Sequence, residues 1–407
     1  MKRRFACGLA AAVCLALAAP AVPAVASTVG AVDTVGTAGA ENVAGTFGGG
    51  QRQTALEGLT RAGATSAIAE IRDRAGVWRG TSGVSDQATG APVRGDGRFR
   101  AGSVTKMFVA TTVLQLSGEH RLGLDDPVER YLPGLIPNGA NITLRQLLNH
   151  SSGLWDPTNE KGGIFPDEAD LPALREWVAK GGLNRTVTAR ELVAASTAHA
   201  PYFPPGTRHH YSNVNYTLLG MIIERVTGHG YAQEVSARIL RPLGMTRTTF
   251  PGLSRGIPGP HAHGYLTLGE SPDPAQNDVD VTEHNPSWAG AAGELISTTD
   301  DLLRFERALI GGKLLKPSLM REMTSMIPLG EEKKVQAEYG LGLARVQLSC
   351  GEILGHNGGI FGYSTELWGT ADRQVALSFT PRGGEAEQTA QAQADWAFLN
   401  AAFCGKR

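Results

Sequence analysis

Two kinds of hydrophobic spacing divide this chain. QRQTALEGLTRAG, from Gln51, carries apolar residues at helical intervals and stops at Gly63, which predicts an opening helix. SAIAEIR and GVWRGTSG follow as two β-type apolar runs separated by the turn-like stretch from Asp73 to Gly76, the pattern of a hairpin. From Ser103 to about Ile310 the helical period dominates, in VTKMFVATTVLQLSG, TLRQLLNHSSG, TARELVAAS, NVNYTLLGMIIERVTG and STTDDLLRFERALIGG. Several of these end on Gly, as helices prefer. After Glu338 short strands return in YGLGLARVQL, STELWGT and RQVALSFT, and a last helix is predicted around Glu385 to Phe403.

Strands at both ends of the chain imply one sheet. The order predicts an α+β fold, an α/β sandwich whose antiparallel sheet of five or more strands is drawn from both chain ends and flanked by helices. A large, mainly helical insertion is expected between its second and third strands. One domain over 51–407 results, with its sheet region at about 51–100 and 311–407, its helical region at about 101–310, and no internal repeat. The junction of sheet and helical region is where chemistry is expected.

The chain start adds a compartment. MKRRFACGLAAAVCLALAAPAVPAVA has a basic beginning, a short Ala/Leu-rich core and small residues at Ala24 and Ala26, which reads as a signal peptide over 1–26, cut near Ala26. Its apolar core is too short to span a bilayer, and no other segment is long enough. The general secretory route fits better than a twin-arginine route, because Phe5 directly follows Arg3 and Arg4. Lipid anchoring at Cys14 would cut the apolar stretch halfway. Residues 27–50, dominated by Gly, Ala, Thr and Val, read as a flexible leader. Loss of Lys2, Arg3 and Arg4 with the signal takes the net charge from −1 to −4, which offers nothing to nucleic acid. A secreted monomer without a membrane span is expected. Cys7 and Cys14 leave with the signal, so Cys350 and Cys404 remain in an oxidising compartment and are expected to pair.

Three short motifs carry candidate chemistry. Ser103-Val-Thr-Lys106 opens an apolar helical run, which places the hydroxyl at a helix start and the lysine three residues on, along the same face. A serine hydroxyl needs a base within hydrogen-bond reach, and burial that disfavours the ammonium form makes a lysine such a base. Tyr211-Ser212-Asn213 follows the Pro/Gly-rich YFPPGTRHH and is expected on a loop, where the tyrosine can relay protons and the asparagine can orient the acyl group and Lys106. His356-Asn357-Gly358-Gly359 is expected between late strands. Its glycines admit a ligand close to the backbone, Gly359 can lend an N–H to an oxyanion, and His356 can assist proton transfer or hold positive charge.

Each motif is the sole instance of its pattern in the chain, and they follow one another at separations of 108 and 145 residues. In that order they resemble the serine β-lactamase and penicillin-binding protein superfamily, within it the class C β-lactamase and D-alanyl-D-alanine carboxypeptidase branch. The segments FRAGSVTK, ITLRQLLNHSSGL, PPGTRHHYSNVNYTLLGMIIE, AHGYLTL, SWAGAAGELISTTDDLLRF, YGLGL, LSCG and AFCGK extend the likeness to the secreted carboxypeptidase/transpeptidase of that branch, whose disulfide falls where Cys350 and Cys404 stand. The resemblance implies that Ser103 attacks a D-Ala-D-Ala carbonyl of a cell-wall peptide, or a β-lactam mimic. Lys106 and Tyr211 would share the proton transfers, with Asn213 and His356 completing the catalytic set. The N–H groups of Ser103 and Gly359 would form the oxyanion hole, and Asn357, Gly358 and Trp288 would line the cleft. Two departures bear on the substrate. The carboxypeptidases show His-Thr-Gly-Thr, with hydroxyls for the terminal carboxylate, where this chain has Asn357 and Gly359; Ala344 stands at an arginine position, beside Arg345. A Gly-Gly end resembles the esterases and aminopeptidases, so esterase and β-lactamase readings stay open.

Gly252-Leu-Ser254-Arg-Gly256 matches G-x-S-x-G, but Pro251 and Pro258 frame a surface loop rather than the strand and helix that pattern requires. His209 with His210, and His261 with His263, lack a well-spaced third ligand, so no metal or other cofactor is expected. A binding module for cell-wall peptides or β-lactams is the non-enzymatic alternative, and the filled catalytic positions favour an enzyme.

Overall fold

A computed structural model describes residues 49–167, 170–269, 277–329 and 337–405. The expected signal peptide, and the leader up to residue 48, lie outside the described residues. Helix α1 (Gly49–Arg61) starts two residues inside the expected leader and leads into the hairpin of β1 (Ser66–Asp73) and β2 (Gly76–Asp86). Asp73 pairs with Gly76 at its turn. The short β3 (Ala91–Pro92) adds to the edge of β2 past an irregularity between Val84 and Asp86. The insertion therefore begins after a third, minimal strand rather than after the second.

The late strands are β4 (Ile327–Pro328), β5 (Ala337–Tyr339), β6 (Ala344–Leu348), β7 (Gly351–Ile360), β8 (Tyr363–Gly369) and β9 (Gln374–Phe379). Among the described residues they complete a nine-stranded sheet of order β3-β2-β1-β9-β8-β7-β6-β5-β4. All its pairings are antiparallel, and β1 against β9 joins the two chain ends, Ala67 facing Phe379. YGLGLARVQL is not one strand. Gly342 takes φ +88°, and a Cβ there would meet Ala110 at 2.3 Å, so the chain turns tightly between β5 and β6.

Helices cover both faces. On one side α1 and α5 (Glu385–Cys404) bury Leu56, Leu59, Phe398 and Leu399 in one cluster with Ile71, Val346, Val375 and Leu377 of the sheet. On the other side lies the helical region, centred on α2 (Thr105–Gly118), which is buried on every side from Thr105 to Leu114. Phe108 of α2 stacks on Phe305 of α4 (Thr299–Ile310) at 3.7 Å, and α3 (Val214–Thr227) ends at Gly228 with φ +78°. TLRQLLNHSSG forms only Leu144–Leu148 as helix, because His150 adopts φ +58° and turns the chain away. No helix among the described residues is long and apolar enough to cross a membrane.

Two devices tie this frame to the helical region. The Cys350–Cys404 disulfide, Cα atoms 5.4 Å apart, fastens the β6–β7 turn to the last residue of α5. The second is a contact between glycines. A single turn, Gly102–Val104, precedes α2, and β7 lies directly against it. Gly102 has φ +53°, and a Cβ on it would sit 2.7 Å from the Gly359 oxygen; a Cβ on Gly358 would sit 2.1 Å from the Ala101 oxygen and 2.9 Å from the Ser103 nitrogen. Side chains there would push the strand off the turn.

Opening the disulfide releases a loop of 54 residues. Cys404→Ala should lose about 4 kcal/mol in chemical unfolding on the chain-entropy account, and equal stability with and without reductant would refute this. Gly358→Ala should retain secondary structure by circular dichroism yet lose at least about a hundredfold in the hydrolysis expected of the Ser103 motif, since a displacement of about 1 Å costs that much in positioning. A folded variant with full activity would show that the strand does not set the geometry of the turn.

Candidate active site

Ser103 sits in the single turn before α2, two residues upstream of the helix start. Thr105 fixes that turn: its hydroxyl donates to the Gly102 carbonyl at 2.7 Å and accepts the Leu295 N–H at 3.1 Å. Lys106, in the first turn of α2, has no exposed surface. Its Nζ donates to Ser103 Oγ at 3.0 Å, to Asn213 Oδ1 at 2.7 Å and to the Ala292 carbonyl at 2.7 Å. It also stands 4.8 Å from the Tyr211 ring centre and 5.5 Å from that of Tyr216. The i to i+3 spacing read from the sequence thus becomes a direct hydroxyl–amine contact.

The loop carrying Tyr211-Ser212-Asn213 forms the opposite wall. Asn213 is the N-cap residue of α3, yet its side chain makes no capping bond; it is taken up by Lys106 and by Thr158, whose Oγ1 accepts from Nδ2 at 2.8 Å. Tyr211 is placed by His150, whose ring stacks on it at 4.2 Å. His150 Nδ1 accepts the Ser212 N–H at 3.3 Å and faces Asn215 Nδ2 at 3.1 Å. Burial first, then His209, Lys106 and His356, hold His150 well below the ordinary histidine range, so it stays neutral.

His356 lies inside β7 rather than between strands, and it is only 3 % exposed. Its Nδ1 contacts the Asn357 carbonyl, which can only accept; Nδ1 therefore carries the proton, and Nε2 accepts from the Tyr339 hydroxyl at 2.8 Å. Burial and the nearby Lys106 push His356 down to about 3. The expectation that it could hold positive charge is corrected: desolvation keeps it neutral wherever such an enzyme works. Gly358 is likewise accounted for by the chain's own backbone, since its missing Cβ makes room for Ala101 and Ser103.

Ser103, Asn159, Tyr211, Asn213, Trp288 and Gly359 line one recess, floored by Ala289, Ala292 and Gly293. Trp288 is buried, and its indole N–H has no hydrogen-bond partner among the described residues. It also borders an apolar side pocket with Phe165, Trp177 and Phe361. Asn357 lies outside the recess lining, two residues from Gly359. Arg345 is engaged by Glu338 at 2.9 Å and Glu352 at 3.6 Å.

The remaining candidates lie elsewhere. Ser254 is in an exposed turn beside Leu253, which is 64 % exposed. His263 pairs with Asp280 at 2.6 Å, and His210 packs on Tyr202. Sequence reasoning missed His150, Asp156, Thr158, Asn159 and Tyr339 as parts of the site. Their signal is the run of polar residues in NHSSGLWDPTN among apolar neighbours, which gives no partner for any of them.

Comparison with known proteins gives the family and the fold. The Beta-lactamase family model matches residues 52–401. A D-stereospecific amidohydrolase from Streptomyces sp. superposes with a TM-score of 0.74 at 39 % identity, covering 88 % of this chain and 99 % of that one. Penicillin-binding protein 4* of Bacillus subtilis is 27 % identical over 76 % of this chain and 66 % of its own length, and a D-aminopeptidase of Brucella anthropi is 28 % identical over 79 % and 56 %. The chain thus spans about half to two thirds of the length of these two curated relatives. A family model matched over nearly all the described residues, on a fold shared with these proteins, places the chain in the beta-lactamase family of serine hydrolases.

Proposed function

We propose that the protein is an exported serine amidohydrolase that opens neutral amide or ester bonds next to a D-configured residue through an acyl-enzyme on Ser103. The observation that carries this reading is Lys106 Nζ, buried and 3.0 Å from Ser103 Oγ. Oγ attacks the substrate carbonyl while its proton passes to Tyr211, or to Lys106 in its neutral form, whose lone pair then faces Oγ in place of an N–H. The N–H groups of Ser103 and Gly359 hold the oxyanion, and the same proton returns to the leaving amine or alcohol. Water then attacks the acyl-enzyme and frees the acid.

The preference for a neutral substrate rests on what surrounds the recess. Asn357 and Gly359 bring no hydroxyl, Ala344 no charge, and Arg345 is engaged by two glutamates. A terminal carboxylate would enter without a charged partner among these residues and would lose its hydration. The D configuration is supported by the Streptomyces amidohydrolase, which matches nearly end to end. The second reading, a D-alanyl-D-alanine carboxypeptidase that binds penicillin, draws on the Cys350–Cys404 placement and the segment likeness.

D-phenylalanine amide, its L enantiomer and an acylated peptide ending in D-Ala-D-Ala separate the two readings. The D-amide should exceed the D-Ala-D-Ala peptide in kcat/KM by at least about a hundredfold, the scale of a buried charge left unpaired, and should also exceed its L enantiomer. Faster D-Ala release would favour the carboxypeptidase. Ser103→Ala should abolish turnover, and loss of activity only in Ser254→Ala would overturn the whole scheme.

The pH dependence supplies a separate check. His356 is depressed to about 3, so it gains no proton between pH 5 and 8, and no rate limb in that window belongs to it. His356→Gln should lower kcat/KM while leaving the acid limb where it was. Disappearance of that limb would assign the titration to His356 after all.

A further inference from the structure

The scheme above uses Asn213 but makes no use of the carboxylate behind it. Asp156 lies in the loop after Leu144–Leu148 and has no exposed surface. Its Oδ1 accepts the Thr158 N–H at 3.0 Å and the Thr158 hydroxyl at 2.8 Å. Its Oδ2 accepts Asn159 Nδ2 at 2.6 Å and, more weakly, Asn213 Nδ2 at 3.4 Å. All four of these contacts, from three residues, are donated to it, which is the environment of a carboxylate and not of a carboxylic acid.

This cluster decides which way the Asn213 amide faces. Nδ2 is held by Thr158 Oγ1 and Asp156, so Oδ1 is the end presented to Lys106 Nζ. Flipped, the amide would turn its N–H groups toward an amine whose other N–H groups are donated to Ser103 and Ala292, and its oxygen toward a carboxylate. Both contacts would be repulsive.

We infer that Asp156 is a positioning residue of the acylation machinery, fixing the Asn213 amide and supplying the buried negative charge against which the Ser103 proton is moved. This inference rests on the acyl-enzyme reading. Burial pushes the Asp156 carboxyl up; the Thr158 and Asn213 contacts and the charge of Lys106 pull it back. Lys106 also faces Tyr211, Tyr216, His150 and His356. The two imidazoles are neutral and contribute no charge. On the far side of Asp156 its N–H donates to the Tyr202 hydroxyl, beyond which lie Glu160 and His210.

Two variants of the full chain, Asp156→Asn and Thr158→Val, test this with p-nitrophenyl butyrate, a substrate without a titrating group. Loss of the negative charge makes whichever of Lys106 and Tyr211 takes the proton easier to deprotonate. The acid limb of kcat/KM in Asp156→Asn should therefore move down by about one pH unit, and its plateau should fall at least about tenfold. Thr158→Val keeps the charge but loses the hydroxyl that holds Asn213 Nδ2, so its plateau should fall about tenfold with the limb unmoved. A folded Asp156→Asn protein whose limb stays in place overturns the inference. If that variant does not fold, unchanged kcat/KM in Thr158→Val overturns it instead. Ser103→Ala separates the levels: activity without Ser103 sinks the acyl-enzyme reading, whereas an inactive Ser103→Ala beside an unshifted Asp156→Asn sinks only the role of Asp156.

Discussion

Everything at this site depends on keeping the Lys106 amine out of water and against Ser103 Oγ. Placing an amine in a low-dielectric interior is costly unless each of its donors finds an acceptor. Here the acceptors come from three parts of the chain: Ser103 on the same helix, Asn213 from the opposite loop, and the Ala292 carbonyl from the short helix Gly290–Gly293. Two aromatic faces fill the remaining shell. None of these acceptors lies near another in sequence, so the site exists only once the helical region has closed around α2.

A second constraint makes the first useful. On the proposed acyl-enzyme scheme, the turn bearing Ser103 has to meet β7 closely enough for strand and turn N–H groups to share one substrate oxygen. Gly102 and Gly358 permit this because backbone, not side chain, fills the gap between them. The nine-stranded sheet anchors β7 between β6 and β8, and the disulfide holds the β6–β7 turn to α5. Strand position is thereby fixed along both sides and at its start, which is what a preorganised oxyanion site requires.

Much of this was legible in the sequence for physical reasons that can be named. The hairpin from Ser66 to Asp86 showed because β-type runs flank a tight turn, and α2 showed because its apolar run is long. Ser103, Lys106, Tyr211, Asn213 and Gly359 were found because each belongs to a short motif, and they line or border a single recess. The tight turn at Gly342 and the early stop before His150 were missed because both depend on positive φ angles set by tertiary contacts. His356 was expected between strands and able to hold charge, but it lies inside β7 and burial keeps it neutral, neither of which a motif displays. His150 and Asp156 were missed because a side chain that acts through another has no pattern of its own.

The arrangement also bears on why an asparagine stands between Lys106 and Asp156. A carboxylate bonded directly to Nζ would form a tight ion pair and draw the amine toward itself, away from the serine proton. An amide in between passes on orientation through its fixed dipole and leaves the negative charge one residue removed. The amine is then neutralised at a distance, which lessens the cost of its burial without tying it to a single partner. On this view Asn213 keeps Lys106 available to Ser103, and the hydroxyl of Thr158, bonded to both Asn213 and Asp156, sets which face of that amide does so.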